Sequence, residues 1–186
     1  MSVNANDLRK GTAIKWNGEV CIVLETQHRT PGNLRAFVQG TLRSIKTGRS
    51  FEQRFNSNEK IETVNVQHTK WDFNYKDHNG YTFMNNETYE TITLDEGLVA
   101  NVKDYLVENL TCEIMFVEDR AASIEVPSSV ELKVVESPEG VRGDSANNVM
   151  KTAKLETGLQ VQVPLFIKEG ETVKIDTRTG KYVSRA

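Results

Sequence analysis

Residues 151–170 read Lys-Thr-Ala-Lys-Leu-Glu-Thr-Gly-Leu-Gln-Val-Gln-Val-Pro-Leu-Phe-Ile-Lys-Glu-Gly. Leu159, Val161 and Val163 alternate with Gln160 and Gln162, the period-two pattern of a strand with one face buried. Pro164 lacks an amide proton for a neighbouring strand and stops the run, and Gly158 and Gly170 mark turns on either side. The block is made of scaffold residues, none of which performs chemistry. It therefore speaks for a fold, and function has to be read from loops.

The same short strands and punctuation recur along the chain. Ala13 to Trp16 and Val20 to Glu25 flank Asn17-Gly18, a dipeptide that accepts the positive φ angles of a two-residue hairpin. Ala36 to Ile45 and Ser50 to Phe55 continue around Lys46-Thr47-Gly48, enough strands for a small SH3-like barrel. From Asn65 onward, Trp71, Phe73 and Tyr75 alternate onto one face, and past Asp77-His78-Asn79-Gly80 the strand returns through Tyr81 and Phe83. Thr93 and Glu96 have the spacing of a capping box. Leu94, Leu98, Val102, Tyr105 and Leu106 follow at helical spacing, which predicts one short amphipathic helix. Thr111 to Val117 and Ser123 to Val126 are strand-like again. Beyond Pro127 come Val130 to Val135, the 151–170 block, Thr172 to Asp176, the Arg178-Thr179-Gly180 turn and Lys181 to Ser184. The pattern predicts an all-β chain of three small barrels over residues 1–64, 65–127 and 128–186, the later two Greek-key barrels of the OB type. Barrels of about 60 residues sit near the lower limit of self-sufficient cores, so each is expected to lean on a neighbour or a partner.

The net charge of −3 is unevenly spread. Residues 1–63 carry ten Lys/Arg against six Asp/Glu, residues 64–126 four against twelve, and residues 127–186 nine against eight. A general nucleic-acid grip wants a cationic stripe throughout. This distribution points instead to RNA contact at the two ends and an acidic middle. Cys21 and Cys112 stand far apart inside apolar strand-like runs, which reads as two buried reduced thiols. No apolar run reaches the roughly 18 residues of a membrane span, and no charged-then-apolar leader follows Met1, so a cytoplasmic protein without membrane contact is expected.

Enzyme readings fail on inventory. His28, His68 and His78 have no metal-ligand spacing and no paired Cys, and no Gly-rich phosphate loop or Ser nucleophile elbow is present. No catalytic residue, metal or cofactor is expected. A hydrolase or transferase working in an OB cleft is the weakest alternative.

One loop carries the functional signal. In His28-Arg29-Thr30-Pro31-Gly32-Asn33-Leu34-Arg35, Pro31 presets φ for the second position of a β-turn and Gly32 supplies positive φ at the third. A type II turn over Thr30 to Asn33 is expected, with Asn33 exposed at its exit. Arg29 and Arg35 straddle it and place two permanent cations where phosphate is met. A second loop, Ser137 to Met150, is long for a barrel connection, and long ordered loops are usually functional.

Lys151, Ala153, Gly158, Val161, Val163, Pro164, Ile167, Gly170 and Glu171 together resemble the signature of the bacterial elongation factor P family. Phe83 to Thr88 and Asp176 to Arg185 match that family as well, so the resemblance covers essentially the whole chain. It implies an N-terminal barrel of the KOW type followed by two OB folds in an L-shaped molecule. It implies a monomeric translation factor that binds both ribosomal subunits beside the peptidyl-tRNA and promotes peptide bond formation, relieving stalls at consecutive prolines. In the family the loop around Pro31 and Gly32 reaches the peptidyl-transferase centre and commonly carries a modified Lys or a glycosylated Arg. Here Asn33 stands at that position and can accept neither modification, so an unmodified tip is expected. Gly143-Asp144-Ser145 corresponds to an element near messenger RNA, and Tyr182 and Arg185 correspond to a contact with ribosomal RNA. Asn33 also keeps open a paralogue on the same scaffold, binding ribosomes or another RNA for a different purpose.

Overall fold

The structure is a computed structural model that describes residues 1–138 and 149–186. Its backbone gathers into two compact units, Met1–His68 with Met115–Ser123, and Thr69–Ile114 with Ile124–Ala186.

The first unit is built on β1 (Ser2–Asn4), β2 (Ala13–Trp16), β3 (Glu19–Arg29), β4 (Phe37–Ser44), β5 (Ser50–Asn56) and β6 (Lys60–Glu62). Asn17 and Gly18 adopt φ of 51° and 79°, so the β2–β3 hairpin closes in two residues as the dipeptide predicts. Strands β2 to β5 form one antiparallel sheet in sequence order, and β1 pairs with β6. Alternation turns Ile14, Cys21, Val23, Val38, Leu42 and Phe55 into the barrel. Trp16 meets Phe55 edge-on with ring centroids 4.9 Å apart. The other face of β2 and β3 is apolar too. There Ala13 and Ile22 are covered by Met115 and Val117, with Val20 and Ile45 at the margin. Residues 115–123, placed in the middle segment by sequence reading, gather with the first unit, where Met115, Val117 and Ala122 pack with Val64 and Val66 on that second face.

Next come β7 (Val66–Asp77), β8 (Gly80–Asn85), β9 (Thr91–Leu94), α1 (Glu96–Val99), β10 (Thr111–Val117) and β11 (Arg120–Glu125), in a sheet of order β11-β10-β7-β8-β9. Trp71 and Phe73 are buried, and Phe73 lies 5.3 Å from Phe83. Tyr75 does not share their face. A bulge between Phe73 and Tyr75 shifts the register by one residue, which turns Tyr75 outward to 53% exposure. Gly80 holds φ at +132°, and a Cβ there would stand 2.3 Å from the Leu94 carbonyl oxygen.

The expected helix is a single turn, and its cap is not Thr93. Thr93 belongs to β9, where its hydroxyl meets that of Thr82 at 3.0 Å. Asp95 is the N-cap, its carboxylate accepting the Leu98 N–H at 2.8 Å. Val102 has left helical geometry at φ −123°, and its N–H reaches back only three residues to Val99. A 3-10 turn over Lys103–Tyr105 follows. Leu94, Val99, Val102 and Leu106 are buried all the same. The apolar spacing comes from residues meeting one core from successive turns, not from one continuous helix.

The last strands are β12 (Ser129–Glu136), β13 (Met150–Leu155), β14 (Gln160–Pro164), β15 (Thr172–Asp176) and β16 (Lys181–Arg185), ordered β14-β13-β12-β15-β16. Strand β14 also lies against β16, which curls the sheet toward closure. The core holds Leu132, Val134, Ala153, Leu155, Val161, Val163, Ile167, Val173 and Ile175. The alternation read in residues 159–163 is therefore the barrel's inner face. Tyr105, Val107 and Leu110 pack on the same core. The Thr157 hydroxyl donates to the Asp104 carbonyl at 2.6 Å. Burial, helped by Asp104 and Asp176, raises the Tyr105 phenol above its ordinary value.

Candidate functional site

Strands β3 and β4 stay paired as far as Arg29 opposite Phe37, and residues 30–36 cross between them. Two strands in register give the crossing a fixed root. Within it the Leu34 N–H donates to the Pro31 carbonyl at 3.2 Å. The turn is therefore centred on Gly32 and Asn33, one residue later than the Pro-Gly pair predicts. A type II turn over Thr30 to Asn33 needs left-handed backbone at Gly32, and Gly32 is not in that region. The correction moves Asn33 from the exit of the turn into its centre. Gly32, Asn33, Leu34 and Arg35 are all exposed, Leu34 to 71%.

The charges around this tip are open. The Arg29 guanidinium donates through Nη2 to Gln27 Oε1 at 3.1 Å. Among the described residues neither Arg29 nor Arg35 is paired with a carboxylate. Register also brings up residues that the linear sequence does not connect with the loop. Arg29, Phe37 and Asn56 stand opposite one another across β3, β4 and β5, and two residues further in stand Gln27, Gln39 and Arg54. These six share one sheet face. The Arg54 guanidinium lies 3.7 Å from the centroid of the Phe37 ring, and Gln39 donates to Glu52 at 2.9 Å. Arg54 and Phe37 were missed because only strand pairing places them beside Arg29. Leu34 was missed because one apolar residue in a polar loop is unremarkable in sequence.

The other expected contacts are distributed differently. Gly143, Asp144 and Ser145 lie outside the described residues. Tyr182 stands opposite Ile175 and packs, partly buried, against the last barrel's core. The Arg185 guanidinium lies 4.6 Å from the centroid of the Phe166 ring, with Nη2 at 3.4 Å from Glu171 Oε1. No helix among the described residues is long and apolar enough to cross a membrane.

The all-β build sets a KOW-like first barrel, which carries the tip loop, ahead of OB barrels, and this defines the fold class. Solved structures of that class superpose on much of the chain. Translation initiation factor 5A from Methanococcus jannaschii does so with a TM-score of 0.50 at 18% identity, over 67% of this chain and 95% of that one. A factor of the 5A family from Naegleria fowleri does so with a TM-score of 0.50 at 15% identity, over 68% and 98%. Those identities establish the fold alone. Family models for the elongation factor P KOW-like domain, OB domain and C-terminal domain match residues 4–61, 66–124 and 130–185. Elongation factor P of Symbiobacterium thermophilum is 45% identical over 184 residues, covering 99% of this chain and all of the relative. That of Acidobacterium capsulatum is 45% identical over 186 residues, covering both chains in full. The chain belongs to the elongation factor P family, a family of translation factors rather than of enzymes.

Proposed function

We propose that this chain binds the ribosome beside the peptidyl-tRNA and speeds peptide bond formation where the nascent residues react slowly, chiefly at consecutive prolines. Three modules, residues 1–64, 65–127 and 128–186, divide the work, and the cytoplasm is where it is done. The observation that carries the reading is the tip loop: an exposed turn on a paired two-strand root, flanked by Arg29 and Arg35 with no carboxylate on either among the described residues.

Two guanidinium groups at the root suit phosphates of the tRNA end, since the fork of N–H donors matches phosphate oxygens. At the apex Asn33 offers an amide that donates and accepts, and Leu34 an apolar surface for a ribose or base edge. Proline attacks as a secondary amine with restricted φ, so its productive geometry is easily lost. A factor that holds the tRNA end still acts through orientation, while the ribosome supplies the chemistry. Asn33 needs no adduct in this scheme. Gly143, Asp144 and Ser145 are assigned to the small-subunit side near messenger RNA, and Tyr182 and Arg185 to ribosomal RNA.

A proline-run translation reporter tests the reading with wild type, Asn33→Ala and Arg35→Ala. Wild type is expected to relieve the stall, and Arg35→Ala to lose at least about fivefold in relief, the equivalent of ~1 kcal/mol. A silent Arg35→Ala beside a dead Asn33→Ala overturns the role given to the flanking cations. Intact-mass analysis of native protein showing an adduct on this loop overturns the unmodified tip. The second reading, a paralogue with another task, is favoured by Asn33 itself, and it is the one that survives if wild type binds ribosomes and leaves the stall in place.

A further inference from the structure

We propose that Phe166 and Arg185 form a stacking platform for one unpaired RNA base, a contact that rests on the ribosome-binding reading above but not on the tip loop. The platform is built by backbone constraints. Pro164 ends β14, and the Ile167 N–H closes a turn onto the Pro164 carbonyl at 3.1 Å. Ile167 is fully buried and anchors that turn in the barrel core. The residue before it is thereby turned outward, and Phe166 is left 55% exposed. Arg185 ends β16 opposite Val173, and the Ala186 N–H, bonded to the Thr172 carbonyl at 3.0 Å, holds the strand end in place.

From there the Arg185 guanidinium lies over the Phe166 ring at 4.6 Å. Glu171 Oε1 holds its edge at 3.4 Å, while Glu171 Oε2 accepts the Lys168 N–H at 3.2 Å. More than half of the Arg185 side chain, 54%, remains exposed. An arginine placed over an aromatic ring and fixed at its edge is a preorganised surface, and its weakly hydrated guanidinium stacks well on nucleobases.

The local charge decides between base and phosphate. Lys168 and Arg185 are offset by Glu169 and Glu171, and a phosphate oxygen approaching Arg185 would meet the Glu171 carboxylate. A neutral, flat, polarisable group is the better fit. Tyr182, the aromatic that the sequence offers for stacking, is engaged with the core of its own barrel. Phe166 takes that place beside Arg185.

The test measures binding of the full chain to ribosomes across a salt series, with Phe166→Ala, Phe166→Trp and Arg185→Lys beside wild type. Phe166→Ala is expected to weaken binding about 5- to 150-fold, the range found for loss of one stacked base. The slope of log Kd against log salt should not change, because no phosphate contact is lost. Phe166→Trp should restore affinity, and Arg185→Lys, which keeps the charge but not the planar group, should weaken binding with an unchanged slope. A photoreactive Phe166→p-benzoylphenylalanine chain should crosslink to RNA. Phe166→Ala binding within twofold of wild type overturns the platform, as does failure of Phe166→Trp, a slope change of about one, or a crosslink that lands on protein. Wild type that does not bind ribosomes overturns this inference and the functional reading together. A stall left unrelieved by a chain that binds in a Phe166-dependent way overturns only the latter.

Discussion

Gly32→Ala separates two geometries of the tip loop by the sign of a stability change. In the structure Gly32 is outside the left-handed region, and a Cβ added to it meets no atom within 4 Å. Alanine then adopts the native backbone without strain and reduces only the freedom of the unfolded chain, which stabilises by about 0.4–1 kcal/mol. A type II turn with Gly32 at positive φ would reverse the sign, since an L side chain there costs about 1–2 kcal/mol. Urea unfolding reads the difference directly. In a Trp71→Phe background Trp16, packed on Phe55, reports the first unit. With an m-value of ~2 kcal/mol/M, the midpoint should rise by about 0.2–0.5 M with m unchanged. The turn bond from Leu34 to Pro31 does not need a glycine between them, so under the function proposed above relief of the proline stall should stay within twofold. A lower midpoint at unchanged m refutes the Pro31-to-Leu34 turn, and with it the placing of Asn33 at the turn's centre.

Gly80→Ala should behave oppositely: its Cβ would fall 2.3 Å from the Leu94 carbonyl, so β8 and β9 must separate where Tyr81 pairs with Leu94. A loss of about 2 kcal/mol or more is expected in urea unfolding, and a wild-type midpoint would contradict that close approach. Cys112 gives a pH dependence. Burial, and then Asp72, push its thiol from 9.0 up to about 12. The folded chain favours the neutral thiol, so this contribution is complete below the unfolded value near 9.0 and is lost as pH rises toward about 12. Stability should therefore fall across that alkaline window, and the fall should be shallower in Cys112→Ala, whatever that variant's starting stability. Equal slopes for the two proteins would show that the thiol is not held neutral.

Much of the fold was legible because strand patterning is local. The Asn17-Gly18 hairpin, the alternation of Val161 and Val163, and the turn glycines at 158 and 170 are each dictated by neighbours in the chain, through φ preferences and side-chain period. The misreadings occurred where a distant partner decided the outcome. Thr93 is drawn into β9 by Thr82, which leaves Asp95 to cap the helical turn. Tyr75 is turned outward by one extra residue relative to β8, and nothing in residues 71–75 announces that bulge.

For the site, the sequence by itself determined which loop displays Arg29, Asn33 and Arg35, because a Pro-Gly pair between two strand runs must turn at the surface. It also determined the family, through side chains that mostly build scaffold. Only the tertiary structure decided that Asn33 sits in the centre of the turn, that Arg54 and Phe37 stand on the same sheet face as Arg29, and that Phe166 rather than Tyr182 is exposed beneath Arg185. Those outcomes depend on register between strands and on which side of each strand meets a core. A turn such as Asn17-Gly18 sets register locally, but a bulge such as the one between Phe73 and Tyr75, and the choice of which face meets a core built from residues far apart in the chain, are not reached by spacing within one strand.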